Sequence, residues 1–385
     1  RVYVVYMIYA DNAATTKLDI EAFEAMKPFL LEEYGNASQP YFFSKKAKMA
    51  LKDARKQIAR CINAEPEEIF FTSGGTESDN WVIKNFGLST DIRRIITSEI
   101  EHHAVLNACK HMEEMGASLV LLPVTNTGLV KSETLAKCFE LGDASVASCE
   151  TTLVSIMLAN NEIGTIQNIK ELSEIAHRNG AYFHTDAVQA VGHIPIDVKE
   201  LGVDFLSASA HKFNGPKGIG FLYARNGSVL QPLNDGGAQE RGMRAGTENV
   251  ASIVGMAVAL KNNVIHIEDN ASRLSGFEAK LEKQLLDHGI SFIRNGDGNH
   301  IPGSMSLSFA DQEGEMLLHR LDLMKICVST GSACDSVNTQ ISHVLKAIHL
   351  DERIAEGTIR ISLGKNNSEE EITSIADAIA KIINS

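Results

Sequence analysis

The run "EEIFFTSG", Glu67–Gly74, passes directly into "GTESDNWVIKNFG", Gly75–Gly87. A short apolar, aromatic-rich segment suits a buried strand, and the amphipathic pattern after the glycines suits a helix. The same exchange recurs when "RRIITSEI", Arg93–Ile100, leads into "EHHAVLNACKHMEEMG", Glu101–Gly116. Short buried strands follow in "SLVLLPV", "TLVSIMLAN", "AYFHTDA", "VDFLSASA" and "GIGFLYA", separated by helices or turns. Strand and helix in alternation predict an α/β domain around a mainly parallel sheet. From about Glu248 the pattern changes to long helices, "NVASIVGMAVALKNN" and "ASRLSGFEAKLEKQLLDHG". Shorter strands come next at "GSMSLSF", "KICVST" and "TIRISLG", and a last helix opens with a Ser-x-x-Glu capping box at Ser368. The expected organisation is a large α/β domain over 16–260 and a smaller α+β domain formed by 1–15 with 261–385.

The 385 residues are 44% hydrophobic and 22% charged, ample for a large core, and the net charge is −13. That balance argues against non-specific nucleic-acid or anionic-membrane binding, because phosphate contacts need a basic surface. No apolar run approaches the roughly 18 residues of a spanning helix. The opening "RVYVVYMIYA" runs into the polar turn "DNAATT" without a small-residue cleavage site, so it does not read as a signal peptide. Met7 offers a start of its own, which would leave residues 1–6 as an addition. The six cysteines show no CxxC or CxxH pairing, which argues against a metal cage and, at this length, against a disulfide framework. A reducing cytoplasm is the default compartment.

Five segments fall where strands end, the usual place for a ligand crevice in an open α/β sheet. In "FTSGGTESDN", Phe71–Asn80, the N–H groups of a helix start suit a phosphate and the glycines let the backbone approach it. A plain Gly-rich turn reads equally well there. In "HTDAVQA", His184–Ala190, Asp186 follows an apolar strand with Gln189 three residues on. Its ordinary role is a helix cap, and its alternative is to keep a ring nitrogen protonated, as an aspartate does for a pyridinium. In "SASAHKFNGPKGIG", Ser207–Gly220, Lys212 is pinned between two buried strands. Most lysines are solvated surface charges, but a desolvated one presents a neutral amine able to form a Schiff base. His102 and His103 in "EHHAVL" sit at a helix start, where capping is the plain reading. The fifth segment, "GGAQERGMRAGTEN", Gly236–Asn249, is a cationic loop suited to an anion or a subunit interface. A phosphate-ready turn, a pyridinium-type aspartate and a Schiff-base lysine together match the needs of pyridoxal phosphate.

One cysteine resists the buried-hydrophobe reading that fits Cys61 and Cys109. Cys334 lies in "STGSACDS", Ser329–Ser336, among small and polar residues, with no apolar neighbour to bury its sulfur.

From "YADNAATT" through "SGGTESDN", "EHHAVL", "ANNEIG", "HTDAVQ", "SAHKFNGPKGIG" and "ERGMRAGTEN" to "GSACDS" and "IRISLG", the chain resembles the NifS/IscS-type cysteine desulfurases. These form part of the class V aminotransferase group of fold-type I pyridoxal-phosphate enzymes. The resemblance implies that fold, with the cysteine loop on the smaller domain. By it, Lys212 would carry the cofactor, Asp186 pair with the pyridine nitrogen and Gln189 contact the phenolic oxygen. His102 would stack on the ring and move protons, while His103 occupies a position the family leaves variable. Gly75, Thr76, Ser209 and His211 would surround the phosphate, and Thr247 would reach the phosphate of the other subunit of a homodimer. Asn161 and Arg360 would grip the substrate carboxylate, for which a guanidinium fork is geometrically suited.

Cys334 would take sulfur from L-cysteine as a persulfide, leaving L-alanine. It would pass that sulfur to an acceptor protein for iron–sulfur cluster assembly or thiolation. No metal is implied. The family's early "GNPSS.H..G" is replaced here by "GNASQPYFFSK", Gly35–Lys45, in which Tyr41, Phe42 and Phe43 add bulk. The segment "DSVNTQISHVLKAI" after the cysteine is similar in length to the loops that hand sulfur to scaffold proteins. Selenocysteine lyase, or another class V aminotransferase-type reaction, is the nearest rival. A non-catalytic scaffold is opposed by the joint presence of Lys212, Asp186, His102, Cys334 and Arg360.

Overall fold

The computed structural model describes residues 7–87, 92–140, 151–331 and 341–385. The start of the chain before Met7, together with Cys334, lies outside the described residues. Seven strands form the central sheet: β2 (Ile69–Thr72), β3 (Ile92–Ser98), β4 (Ser118–Leu122), β5 (Thr151–Ser155), β6 (Tyr182–Asp186), β7 (Phe205–Ser209) and β8 (Gly220–Ala224). Their spatial order is β2-β8-β7-β6-β5-β3-β4. The β4, β3, β5, β6 and β7 ladders are all parallel, and β8 pairs antiparallel with both β7 and β2. A single reversed strand therefore interrupts a parallel sheet, as the strand–helix alternation predicts. The strands β2, β7 and β8 are buried along their whole length, which is why they read as unbroken apolar runs rather than as alternating ones.

Helices α1 (Ile20–Leu31), α2 (Lys45–Cys61), α3 (Gly75–Gly87) and α4 (His103–Glu114) precede the middle of the sheet. The helix Val250–Val264 packs closely on α1, because a Cβ on Gly255 would lie 2.5 Å from Met26 Sδ. A second apolar core surrounds the antiparallel strands β9 (Ile293–Asn295), β10 (Ser304–Ser308) and β12 (Thr358–Ser362), covered by helices Ile267–Asp287 and Glu369–Ile383. The short strand β1 (Ile8–Tyr9) pairs in parallel with β11 (Ile326–Cys327), and Ile8 and Ala10 join this second core. The predicted capping box is present, with Ser368 Oγ accepting from Glu371 N. One stretch late in the chain packs elsewhere: Val344, Leu345, Ile348 and Ala355 belong to the core of the large sheet.

Among the described residues no single helix is long and apolar enough to cross a membrane. Helices Val250–Val264 and Ile267–Asp287 have the composition only together, across a bend of 68°, and each contributes to one of the two cores.

Phe221 on β8 has no exposed surface and pairs across the sheet with Phe71 and Ala208. Replacing it by alanine leaves a void the rigid ladders cannot close, so Phe221→Ala should lower unfolding stability by about 3–5 kcal/mol. A denaturant midpoint equal to that of the wild type would contradict this placement of the core.

Candidate active site

Parallel strands deliver their C-terminal ends to one edge of the sheet. At that edge β6 ends in Asp186, β7 ends in Ser209 just before the 3₁₀ turn Ala210–Lys212, and β2 leads through Ser73 and Gly74 into α3. Between them opens a cavity of about 260 Å³. Ten of the residues nominated by the sequence line it: Gly75, Thr76, His102, Asn161, Asp186, Gln189, Ser209, His211, Lys212 and Arg360.

Asp186 is 4% exposed, and one of its oxygens accepts from Val188 N at 2.9 Å. Burial raises its pKa above the usual carboxylate value, and the positive potential of His102 and Lys212 opposes that rise. His102 is the N-cap of α4, and its Nδ1 accepts from Ala104 N at 3.1 Å, so any proton on the neutral ring sits on Nε2. Burial lowers the pKa of this ring, with Lys212 adding to the effect and Asp186 opposing it.

Two further acids lie beneath. Asp79 is 1% exposed, and its Oδ1 has no hydrogen-bond partner. It stands 3.6 Å from Nε2 of His184, a fully buried ring clasped by Ser155 and Ser207 and pushed by burial down to about 3. Burial and the charge of Asp186 raise Asp79 well above the carboxylate range, which favours its neutral form. Glu101 accepts from Ser98 Oγ (2.6 Å) and Met157 N (3.0 Å), yet burial pushes it up to about 8. Of three neighbouring acids, Asp186 alone is placed against cationic groups.

Lys212 Nζ donates to the carbonyl oxygens of Ala13 and Ala14, and Gln189 Nε2 donates to the same Ala13 oxygen at 3.0 Å. The amine is thus held at the cavity wall, one carbonyl away from the amide that the resemblance assigns to the cofactor oxygen. His211 touches Thr15 Oγ1 through Nδ1 (3.2 Å), and burial lowers its pKa to about 4.

Gly75, Thr76, Ser209 and His211 also border a second, more open depression of about 380 Å³ that includes Ser73 and Lys217. A Cβ on Gly75 would lie 2.4 Å from Val188 Cγ2, so only glycine allows the start of α3 to come this close to the Asp186 segment. The first intrahelical bond of α3 runs from Ser78 N to Gly74 O at 3.2 Å, which leaves the N–H groups before it pointing out of the helix end. With the hydroxyls of Ser73, Thr76 and Ser209, an imidazole and a lysine around them, these groups suit a dianionic phosphate. Glu77 borders the same depression, but Arg244 Nε at 2.9 Å neutralises it and holds its carboxyl below the usual range.

At the other end, Arg360 of β12 is 5% exposed. Its Nη1 donates to Asn161 O (2.9 Å), Nη2 donates to Asp11 Oδ1 (2.8 Å), and Nε has no partner. A guanidinium lining a cavity is a place for a carboxylate. An acidic floor, a tethered amine, a phosphate-ready helix start and this guanidinium together fit pyridoxal phosphate carrying an amino acid.

Two nominated residues remain. Thr247 borders a separate depression with Arg244 and Glu248, which meets the phosphate side only at Ser73 and Gly218. Cys334 lies outside the described residues, although Gly331, three positions before it, lines the cavity. Sequence reasoning missed Asp79, Asp11 and the Ala13 carbonyl. All three lie within quoted motifs, Asp79 in "SGGTESDN" and the other two in "YADNAATT", but no residue pattern singled them out.

The model of the aminotransferase class-V family matches residues 8–375. A cysteine desulfurase IscS of Dictyoglomus turgidum is 47% identical over 382 residues, covering 98% of this chain and 94% of that protein. A solved NifS-like protein superimposes with a TM-score of 0.90 at 39% identity, covering 98% of this chain and all of that one. A structure described as SspA in complex with cysteine gives 0.80 at 34% identity, covering 92% of this chain and 98% of that one.

Glu101 provides a pH test of the floor. A buried acid whose folded pKa is near 8 binds its proton more tightly than the unfolded chain does, so folding stability falls as pH rises from about 4.5 towards 8. Glu101→Gln should remove that part of the decline and raise the melting temperature at pH 8 more than at pH 5. An equal shift at both pH values would mean that Glu101 is ionised in the folded protein.

Proposed function

The chain belongs to the aminotransferase class-V family, and on that premise we infer that it is a pyridoxal-phosphate-dependent cysteine desulfurase. The observation that carries this reading is the convergence of Lys212, Asp186, His102 and Arg360 on one cavity. Lys212 would hold the cofactor aldehyde, Asp186 its ring nitrogen and Gln189 its phenolic oxygen. His102 covers the ring, and Gly75, Thr76, Ser209 and His211 hold the phosphate. When bound, that cofactor supplies an electron sink for the bond-breaking at Cα.

The remaining work belongs to the chain. Arg360, with Asn161, orients the substrate carboxylate. The Lys212 amine takes the Cα proton of L-cysteine and helps return it. His102, kept neutral by burial, is free to carry a proton on Nε2. The Cys334 thiolate attacks the sulfur of the substrate. A new S–S bond forms, the substrate C–S bond breaks with its electron pair left on carbon, and protonation there gives L-alanine. The enzyme keeps the sulfur as a persulfide on Cys334 and delivers it to an acceptor protein for iron–sulfur cluster assembly or thiolation.

The active unit is a homodimer in the cytoplasm, and Thr247, outside the cavity of its own subunit, serves the phosphate of a second copy. Support for an interface comes from the apolar surface around α1 and Gly35–Lys45, where Phe42 is 89% exposed with Tyr34 and Leu31 close to it in the chain. The domain division at 15/16 and 260/261 belongs to the same reading, with 341–355 returning to the large core.

Loaded with pyridoxal phosphate, the protein should absorb in the visible and release alanine and sulfide from L-cysteine. Lys212→Ala should lose the band and cut alanine release by roughly 10²–10⁴-fold or more. Cys334→Ala should abolish cysteine turnover with a physiological reductant yet spare selenocysteine cleavage, because selenide release needs no carrier thiol. Full cysteine turnover by Cys334→Ala would overturn the persulfide route and favour a lyase. The size of the particle gives an independent check: Phe42→Asp should shift it from dimer towards monomer in equilibrium sedimentation.

A further inference from the structure

The turn that carries Lys212 is held from outside at four successive carbonyls. The His211 oxygen accepts from Thr16 N (2.9 Å) and Thr16 Oγ1 (2.8 Å). The Lys212 oxygen is bonded to His193 Nε2 (2.9 Å), the Phe213 oxygen to Asn263 Nδ2 (2.6 Å) and the Asn214 oxygen to Asp19 N (2.9 Å). Of these partners, His193 stands closest in sequence to Asp186 and Gln189 and shares their segment. That segment is a compact turn, with Ala190 N and Val191 N both donating to Ala187 O and His193 N donating to Ala190 O. At Gly192 the backbone takes φ +81°, and a Cβ there would lie 2.7 Å from Phe213 Cβ. Glycine therefore lets the two segments meet, and the residue after it makes the bond. A carbonyl only accepts, so Nε2 of His193 carries the proton. Burial lowers the pKa of this ring, in keeping with a neutral donor.

We propose that His193 is a positioning residue for Lys212, its Nε2–H bond to the lysine's own carbonyl fixing the amine against the segment that seats the cofactor ring. The inference rests on the pyridoxal-phosphate reading above. Without the bond, the amine on one turn and the carboxylate on the other are no longer set at one separation. The loss should appear in how tightly the cofactor is held and in the proton affinity of its linkage to Lys212.

The test compares wild type, His193→Ala and His193→Gln, whose amide nitrogen can stand where Nε2 does. Borohydride reduction followed by peptide mapping should place the cofactor on Lys212 in the wild type. A wild type without that adduct refutes the cofactor reading and this proposal with it. Given the adduct, His193→Ala should hold pyridoxal phosphate several-fold more weakly. It should also move the pH midpoint of the visible band by roughly half a unit to one unit, while His193→Gln restores both. Asp186, His102 and His211 also bear on that midpoint and are unchanged in every variant. If His193→Ala does not fold, His193→Asn, whose amide falls short of the Lys212 carbonyl, takes its place. The proposal is overturned if the truncated variant titrates and binds like the wild type, or if the glutamine variant behaves like the truncated one.

Discussion

A carboxylate with 4% of its surface exposed cannot stay ionised inside a protein unless something positive faces it. The organisation of this site follows from how Asp186 differs in that respect from the two acids beneath it. Asp79 and Glu101 are buried without a cation beside them, and burial drives both towards the neutral form. With Asp79, Glu101 and His184 driven towards their neutral forms, Asp186 is the acid of the floor that faces Lys212 and His102. A protonated pyridine ring is the complement of such a floor, and it would draw the Asp186 pKa back down as it binds.

The sheet supplies half of this arrangement, and the second core supplies the rest. Asp186, Lys212 and the start of α3 come from strand ends at one edge of the large sheet. Arg360 comes from β12, in the antiparallel sheet, and reaches the cavity beside Asn161. Between the two lies the segment after β1. Its Ala13 oxygen receives both Lys212 and Gln189, and Asp11 receives Arg360. A few residues that pair with the second sheet thus carry acceptors for both ends of the cavity. The Asp11 pair is what keeps this buried guanidinium tolerable at the cavity wall.

Alternation of apolar strands with amphipathic helices was enough to predict the parallel sheet, and strand ends marked the Gly-rich turn, Asp186 and Lys212, while Ser209, His211, Asn161 and Arg360 came only with the family resemblance. That legibility has a physical basis, because a strand end and the residues just after it lie at fixed offsets in sequence. What escaped depends on contacts between distant segments. Asp79 looks like an ordinary helix residue until β6 and β7 bury it, and His193 looks like a loop histidine until the Lys212 turn arrives against it. The Ala13 carbonyl has no side-chain signature at all. The return of Val344 and Ala355 to the large core also could not be read, since an amphipathic stretch does not say which of two apolar surfaces it will cover.

The described chain on either side of 332–340 meets a single buried carboxylate, Glu162. Gly331 lines the cavity at φ +79°, and a Cβ there would lie 2.8 Å from Glu162 Oε2. That same oxygen accepts from Ser342 Oγ at 2.5 Å. Glu162, next to Asn161 in the chain, thus holds Ser342 by a hydrogen bond and approaches Gly331 so closely that only glycine fits there.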